Sequence, residues 1–115
     1  VDMLAVCIGN VHGRYRGVPQ LDFARLERVR WTAPIPLVLH GASGLPASMV
    51  QRAIELGVCK LNVNTEVRDA YLAALADGVS AGERPDLLDL MQAATDAMRA
   101  VVAAKLRLFG SAGQA

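Results

Sequence analysis

The chain is poor in the residues that most often announce chemistry. Its 115 residues hold two cysteines, two histidines and one tryptophan, and aromatics make up 4%. Both cysteines sit inside apolar runs, "MLAVCIG" and "VCKLNVN". Two such cysteines build no disulfide framework, so a reducing, cytoplasmic setting is expected, with Cys7 and Cys59 as small core residues. No uninterrupted apolar run approaches the ~18 residues that span a bilayer. No basic, apolar and small-residue series marks a secretory leader. Charge of either sign is not in excess: 12 basic against 11 acidic residues leave +1. That balance removes the electrostatic footprint of a nucleic-acid or anionic-membrane binder, so neither partner is expected. Neither GxGxxG nor a Walker pattern is present, which disfavours a nucleotide-binding open sheet.

What is abundant is apolar: 53% of residues are hydrophobic, which suits a buried core and argues against disorder. Val1 leads almost at once into "MLAVCI", a start expected of the middle of a larger fold. That continuous run, residues 3–8, has the character of a strand buried on both faces, as in parallel sheets. A glycine-rich loop follows. "LDFARLERVRW" places Phe23, Leu26, Val29 and Arg30 at helical spacing, with Asp22 as N-cap. "PIPLVLHG" is the next strand, and "LPASMVQRAIELG" the next helix, with Pro46 suited to its first position and Gly57 to a left-handed C-terminal stop. "VCKLNVN" alternates Val58, Lys60 and Asn62 with Cys59, Leu61 and Val63, giving a strand with two distinct surfaces. "TEVRDAYLAALADG" predicts a helix ending near Gly78. After a polar break, a long helix runs from about Asp86 to Phe109 on a stripe of Leu87, Met91, Ala94, Met98, Val101, Val102, Leu106 and Phe109. Residues 110–115 are expected to be a flexible tail.

Strands alternating with amphipathic helices imply an α/β protein with a parallel sheet and right-handed crossovers. Two architectures do this, the closed TIM barrel and the open doubly wound sheet. A whole barrel needs about 250 residues, so this chain supplies about three of its strand–helix units. In both architectures functional residues gather where strands end and helices begin. All three strand ends here carry polar residues: His12-Gly13; His40-Gly41 with Ser43; and Asn62 with Asn64 and Thr65.

Both histidines follow an apolar strand and precede a glycine. Two imidazoles on adjacent strands can converge on one metal ion. They can equally be unrelated, hydrogen-bonded loop residues, because their spacing matches no recognised signature such as HExxH. A third ligand is not evident. Asp22 and Glu27 fall in helical sequence, and Cys7 and Cys59 within strands, so the third ligand is expected from other chain or a partner. "GASG" and "NVNTE" each lead into a helix N-terminus, where backbone N–H groups favour anions. Ser43 and Thr65 suit helix caps singly, but two such loops beside two histidines favour phosphate. Arg14 and Arg16 border His12 and either meet a second anion or are solvated. Lys60, within a strand, suits either Schiff-base chemistry or packing.

These segments resemble a known family. "LAVCIGNVHGRYRGVPQLDFARLERVR", then "IPLVLHGASGLPASMVQRAIELGVCKLNVNTEVRDAYLAAL", and the ending "KLRLFGSAGQA" are similar to the C-terminal part of metal-dependent class II ketose-bisphosphate aldolases. The resemblance covers nearly the whole chain. It implies the C-terminal portion of a TIM (β/α)8 barrel, with residues 1–115 a single partial domain. It implies reversible aldol cleavage of fructose- or tagatose-1,6-bisphosphate, with zinc polarising the ketone and stabilising the enediolate. By this resemblance His12 and His40 match two of three zinc-binding histidines. Gly13, Gly41, Ala42 and Ser43 match loops that hold dihydroxyacetone phosphate. Asn62, Val63, Asn64 and Thr65 match the last substrate-binding loop, where a monovalent cation, Na+ or K+, commonly assists. The family's catalytic aspartate and its neighbouring zinc histidine are expected before residue 1, so this chain is expected to be inactive alone. The intact family implies a homo-oligomer; the alternative is a non-catalytic or split-gene subunit that binds phosphate and pairs with a separately encoded N-terminal half. Two departures stand out. "GASG" replaces the commoner Gly-Gly-Ser/Thr-Gly, which alanine tolerates only at negative φ. Arg84-Pro85-Asp86 replaces Asp-Pro-Arg, which removes support for an arginine at a second phosphate there.

Overall fold

Apolar runs punctuated by glycine and proline produce seven elements in the expected order. They are β1 (Leu4–Val6), α1 (Phe23–Thr32), β2 (Leu37–Leu39), α2 (Ala47–Glu55), β3 (Val58–Leu61), α3 (Thr65–Ser80) and α4 (Leu87–Leu108). The computed structural model describes residues 1–81 and 85–114; Arg84 lies outside the described residues. The chain divides into two compact units, 1–63 and 64–115. Among the described residues, no helix is long and apolar enough to cross a membrane.

The first unit is a three-stranded parallel sheet in the order β1-β2-β3. Leu37, Val38 and Leu39 of the central strand are all buried, as a parallel strand covered on both faces requires. Aligned residues of parallel neighbours share a face. Leu4 and Val6 align with Leu37 and Leu39, which align in turn with Val58 and Leu61. Buried Leu26 of α1 and Val50 and Ala53 of α2 complete the core on the helical side. The opposite face carries Ala5, Val38 and Lys60, of which Ala5 and Lys60 are exposed.

The helix stops are local chemistry. Asp22 caps α1, its Oδ1 accepting from the Arg25 N–H at 2.8 Å. Pro46 occupies the N-cap of α2 rather than its first turn. Gly57, at φ +99°, ends α2 as expected, with its N–H donating to the Ile54 carbonyl at 2.9 Å.

Four expectations need correction. Cys7 and Cys59 are exposed, not core residues: β1 and β3 are edge strands, and only β2 is covered on both sides. The strict alternation read in "VCKLNVN" fails. The register shifts between Leu37 and Val38, so Cys59 is an unmatched extra residue, and Val58 and Lys60 lie on opposite faces. Gly78 does not end α3. It lies inside the helix because a Leu90 methyl of α4 packs where its Cβ would be. Finally, the apolar stripe of α4 is only partly covered. Ala94 is fully buried, but Leu87, Met91, Val102 and Leu106 are exposed. Two packed helices bury one narrow seam, and α3 is the only helix of this unit against which α4 packs. In this unit Lys105 and Glu66 form a partly buried ion pair at 2.5 Å. After Gly110, at φ +73°, the Ser111 N–H returns to the Leu106 carbonyl at 3.1 Å.

Leu26 is fully buried inside α1. Leu26→Ala is expected to lower the unfolding free energy of the first unit by about 2–5 kcal/mol, read as an earlier midpoint in urea denaturation.

Candidate functional site

Parallel strands deliver their C-terminal ends to one side. The segment after β1 carries His12, the one after β2 carries His40, and the one after β3 carries Asn62. The structure brings these three together. The His12 and His40 ring centres are 5.5 Å apart with planes inclined at 52°. Asn62 Nδ2 lies 3.0 Å from His40 Nδ1 and 3.3 Å from Nε2, against the ring edge. Its backbone N–H continues the sheet by donating to the Leu39 carbonyl at 3.1 Å. His12 is exposed and His40 half-buried.

A zinc ion with bonds of about 2.0–2.1 Å at tetrahedral angles places two imidazole centres about 5–6 Å apart. The observed separation fits two members of one ligand set. Asn62 Nδ2 is a donor, so it holds the unprotonated ring nitrogen of His40, the same lone pair that a metal would take. The set is partial: no group of three or more His, Cys, Asp or Glu side chains gathers as a metal site among the described residues. Arg14, Arg16 and Lys60 are exposed.

The turn after His40 is shaped by glycine. Gly41 has φ +63° and Gly44 φ +79°, both left-handed. A Cβ on Gly41 would stand against the Val11 carbonyl oxygen, well inside van der Waals contact, so this position also needs glycine for space. Ala42 satisfies the condition on its φ, because no non-glycine residue has positive φ among those described. Ala42 and Ser43 are buried. Ser43 is not the cap of α2, whose N-cap, Pro46, has no side-chain cap bond. Gly13, at φ +90°, has open space around it. Val63 is half-buried at the end of the first unit. Asn64 and Thr65 open the second unit, Asn64 as N-cap of α3 without a side-chain cap bond and Thr65 as its first residue.

Two residues without a metal or phosphate signature also belong to this region. Asn10 Nδ2 donates to the His40 carbonyl at 3.0 Å, and the Tyr15 hydroxyl donates to the Gly41 carbonyl at 3.0 Å. The sequence offers one faint signal for them: both flank His12 in a loop otherwise dominated by glycine and charge.

A family model described as "Fructose-bisphosphate aldolase class-II" matches residues 1–114. The crystal structure of the YdjI aldolase from Escherichia coli K12 shares 38% identity with a TM-score of 0.86, covering 99% of this chain and 41% of that one. A putative fructose-1,6-bisphosphate aldolase from Coccidioides immitis shares 35% identity with a TM-score of 0.90, covering 99% of this chain and 40% of that one. The fructose-bisphosphate aldolase of Campylobacter jejuni, at 19% identity and a TM-score of 0.72, covers 93% of this chain and 39% of that one and shows likeness of fold. The chain thus spans about two fifths of the length of the solved aldolases it matches.

Alanine at a left-handed position costs about 1–2 kcal/mol. Gly13→Ala is expected to show that backbone cost alone, whereas Gly41→Ala adds a collision with Val11 and destabilises more. Paired urea titrations of the two variants measure the difference.

Proposed function

Because the chain belongs to the class II fructose-bisphosphate aldolase family, we propose that it forms the metal- and phosphate-binding part of a ketose-bisphosphate aldolase. The reaction is reversible cleavage of fructose- or tagatose-1,6-bisphosphate to dihydroxyacetone phosphate and glyceraldehyde 3-phosphate. In this reading residues 1–115 are the last three strand–helix units and terminal helix of the barrel, a single partial domain ending in a tail at 110–115. The observation that carries the proposal is the 5.5 Å separation of the His12 and His40 rings at the ends of adjacent parallel strands.

Class II aldolases are in general zinc-dependent. His12 and His40 would hold the ion, with a third ligand from outside these residues. When bound, zinc acts as a Lewis acid that polarises the substrate carbonyl. Asn62 Nδ2 lies along the His40 ring edge and restrains its rotation, and a metal at His40 would displace that donor from the nitrogen it faces. The turn of Gly41, Ala42, Ser43 and Gly44 runs into the N-terminus of α2, where first-turn backbone N–H groups favour a phosphate. Gly13 gives the His12 loop a second close approach for substrate, and Val63, Asn64 and Thr65 extend the binding loop after β3, with a Na+ or K+ ion as helper. Holding the phosphate fixes the reacting carbons in position, which lowers the entropic part of the barrier. In the family an aspartate exchanges the hydroxyl proton, and in this reading it comes from outside residues 1–115.

A second reading draws on the open sheet. β1 and β3 each have an unpaired side, and Ala5, Cys7 and Lys60 are exposed on or beside their strands. Unpaired strand edges invite another chain. The chain then acts as a non-catalytic subunit that binds phosphate and pairs with an N-terminal half. Size-exclusion chromatography with and without that half separates this reading from a lone chain.

Metal analysis with and without a co-expressed N-terminal half, scored by aldol cleavage, tests the proposal. The chain alone is expected to bind zinc weakly and cleave negligibly, and the pair to do both. His40→Ala should abolish zinc and cleavage in the pair. Full zinc occupancy in His40→Ala, or turnover by the chain alone, sinks the proposal.

A further inference from the structure

We infer that Asn10 and Tyr15 are positioning residues, which clamp the loop bearing His12 onto the backbone of the His40–Gly41 turn and thereby set the distance between the two imidazoles. For its consequence the inference rests on the metal reading above.

Each side chain makes one local and one long-range bond. Asn10 Oδ1 accepts from the Ile8 N–H at 2.9 Å, while its Nδ2 donates to the His40 carbonyl at 3.0 Å. The Tyr15 hydroxyl accepts from the Val11 N–H at 3.1 Å and donates to the Gly41 carbonyl at 3.0 Å. The two long-range acceptors are consecutive carbonyls, one belonging to His40 itself. Val11, which directly precedes His12, therefore meets both Tyr15 and the turn at Gly41. Its N–H is bound by Tyr15, and its carbonyl oxygen rests where a Cβ of residue 41 would be.

Around His12 itself the loop is not packed into the core. It lies outside regular structure, Gly13 and Gly17 are at positive φ, and Val11, His12 and Gly13 are exposed. Apolar burial therefore does not locate the His12 ring. The bridges from Asn10 and Tyr15 do, and they do so relative to His40 rather than to the core. Partners that orient metal ligands typically alter metal affinity by about 10- to 100-fold when lost.

The test uses the 115-residue chain and two variants of nearly unchanged shape. Tyr15→Phe removes the hydroxyl and keeps the ring. Asn10→Asp keeps the acceptor for Ile8 and replaces the donor to His40 with an oxygen. Three readouts are taken by NMR and chelator competition: Val11 amide exchange, the cross-peak between His12 and His40 ring protons, and zinc affinity. In Tyr15→Phe, with the melting temperature near that of the parent, faster Val11 exchange, loss of the ring cross-peak and zinc binding weakened about tenfold or more support the inference. Asn10→Asp should likewise lose the cross-peak. Retention of the cross-peak in both variants overturns it, even where Val11 exchange quickens, because the bonds then only steady the loop. Absence of the cross-peak in the parent overturns it as well. A parent that shows the cross-peak yet takes up no zinc even with the co-expressed N-terminal half removes the metal reading instead, and the inference is then decided by whether the variants lose that cross-peak.

Discussion

The parallel pairing of β1 with β2 is the constraint on which the rest depends. Leu4, Ala5 and Val6 run level with Leu37, Val38 and Leu39, so both strands stop at the same height and release their loops side by side. Beneath the loops the forces are apolar. Buried side chains such as Leu37, Leu39, Val50 and Leu26 contribute about 1.5–3 kcal/mol each. Above them the forces are polar, and single hydrogen bonds contribute about 0.5–1.5 kcal/mol. Burial therefore decides where the strands lie, and the weaker polar contacts decide how the loops they release meet. The loops that carry His12 and His40 are joined by that second set, with Asn10 and Tyr15 reaching backbone carbonyls of the neighbouring loop.

Much of this was legible in the residues. The order of strands and helices follows from apolar runs and their periods, and Asp22 and Gly57 mark helix ends as their chemistry requires. The repeat of strand, histidine and glycine singled out His12 and His40, and the rings do converge. What was not legible depends on partners distant in the chain. Cys7 and Cys59 have the apolar neighbours of core residues, but Cys7 lies just past β1 and Cys59 is the unmatched residue of the edge strand β3, which local sequence does not reveal. Gly78 has the form of a helix stop, and only the approach of Leu90 explains it inside α3. Asn10 and Tyr15 escaped notice because they act on main-chain carbonyls, which leave no trace in the identity of the residues they bind.

The second unit follows a different logic. Two helices meet along one seam with Ala94 at its centre, Gly78 admitting Leu90, and Lys105 paired with Glu66. Small residues allow close approach, and a half-buried ion pair restricts sliding along the seam. The remaining apolar side chains of α4 belong to faces that two helices cannot enclose.

The register slip at Cys59 has an effect out of proportion to its size. A strand turns each successive side chain to the other side, so one unmatched residue reverses the phase of all that follow. With the slip, Leu61 runs level with Leu39, and the amide of Asn62 meets the Leu39 carbonyl at 3.1 Å, which sets its side chain beside the His40 ring. Without it, Lys60 would stand level with Leu39 and drive an ammonium group into the apolar layer, while Asn62 would move one step beyond His40. A thiol-bearing residue that neither packs in the core nor approaches the imidazoles thus acts as a half-step in the thread, and sets the phase of the whole third loop.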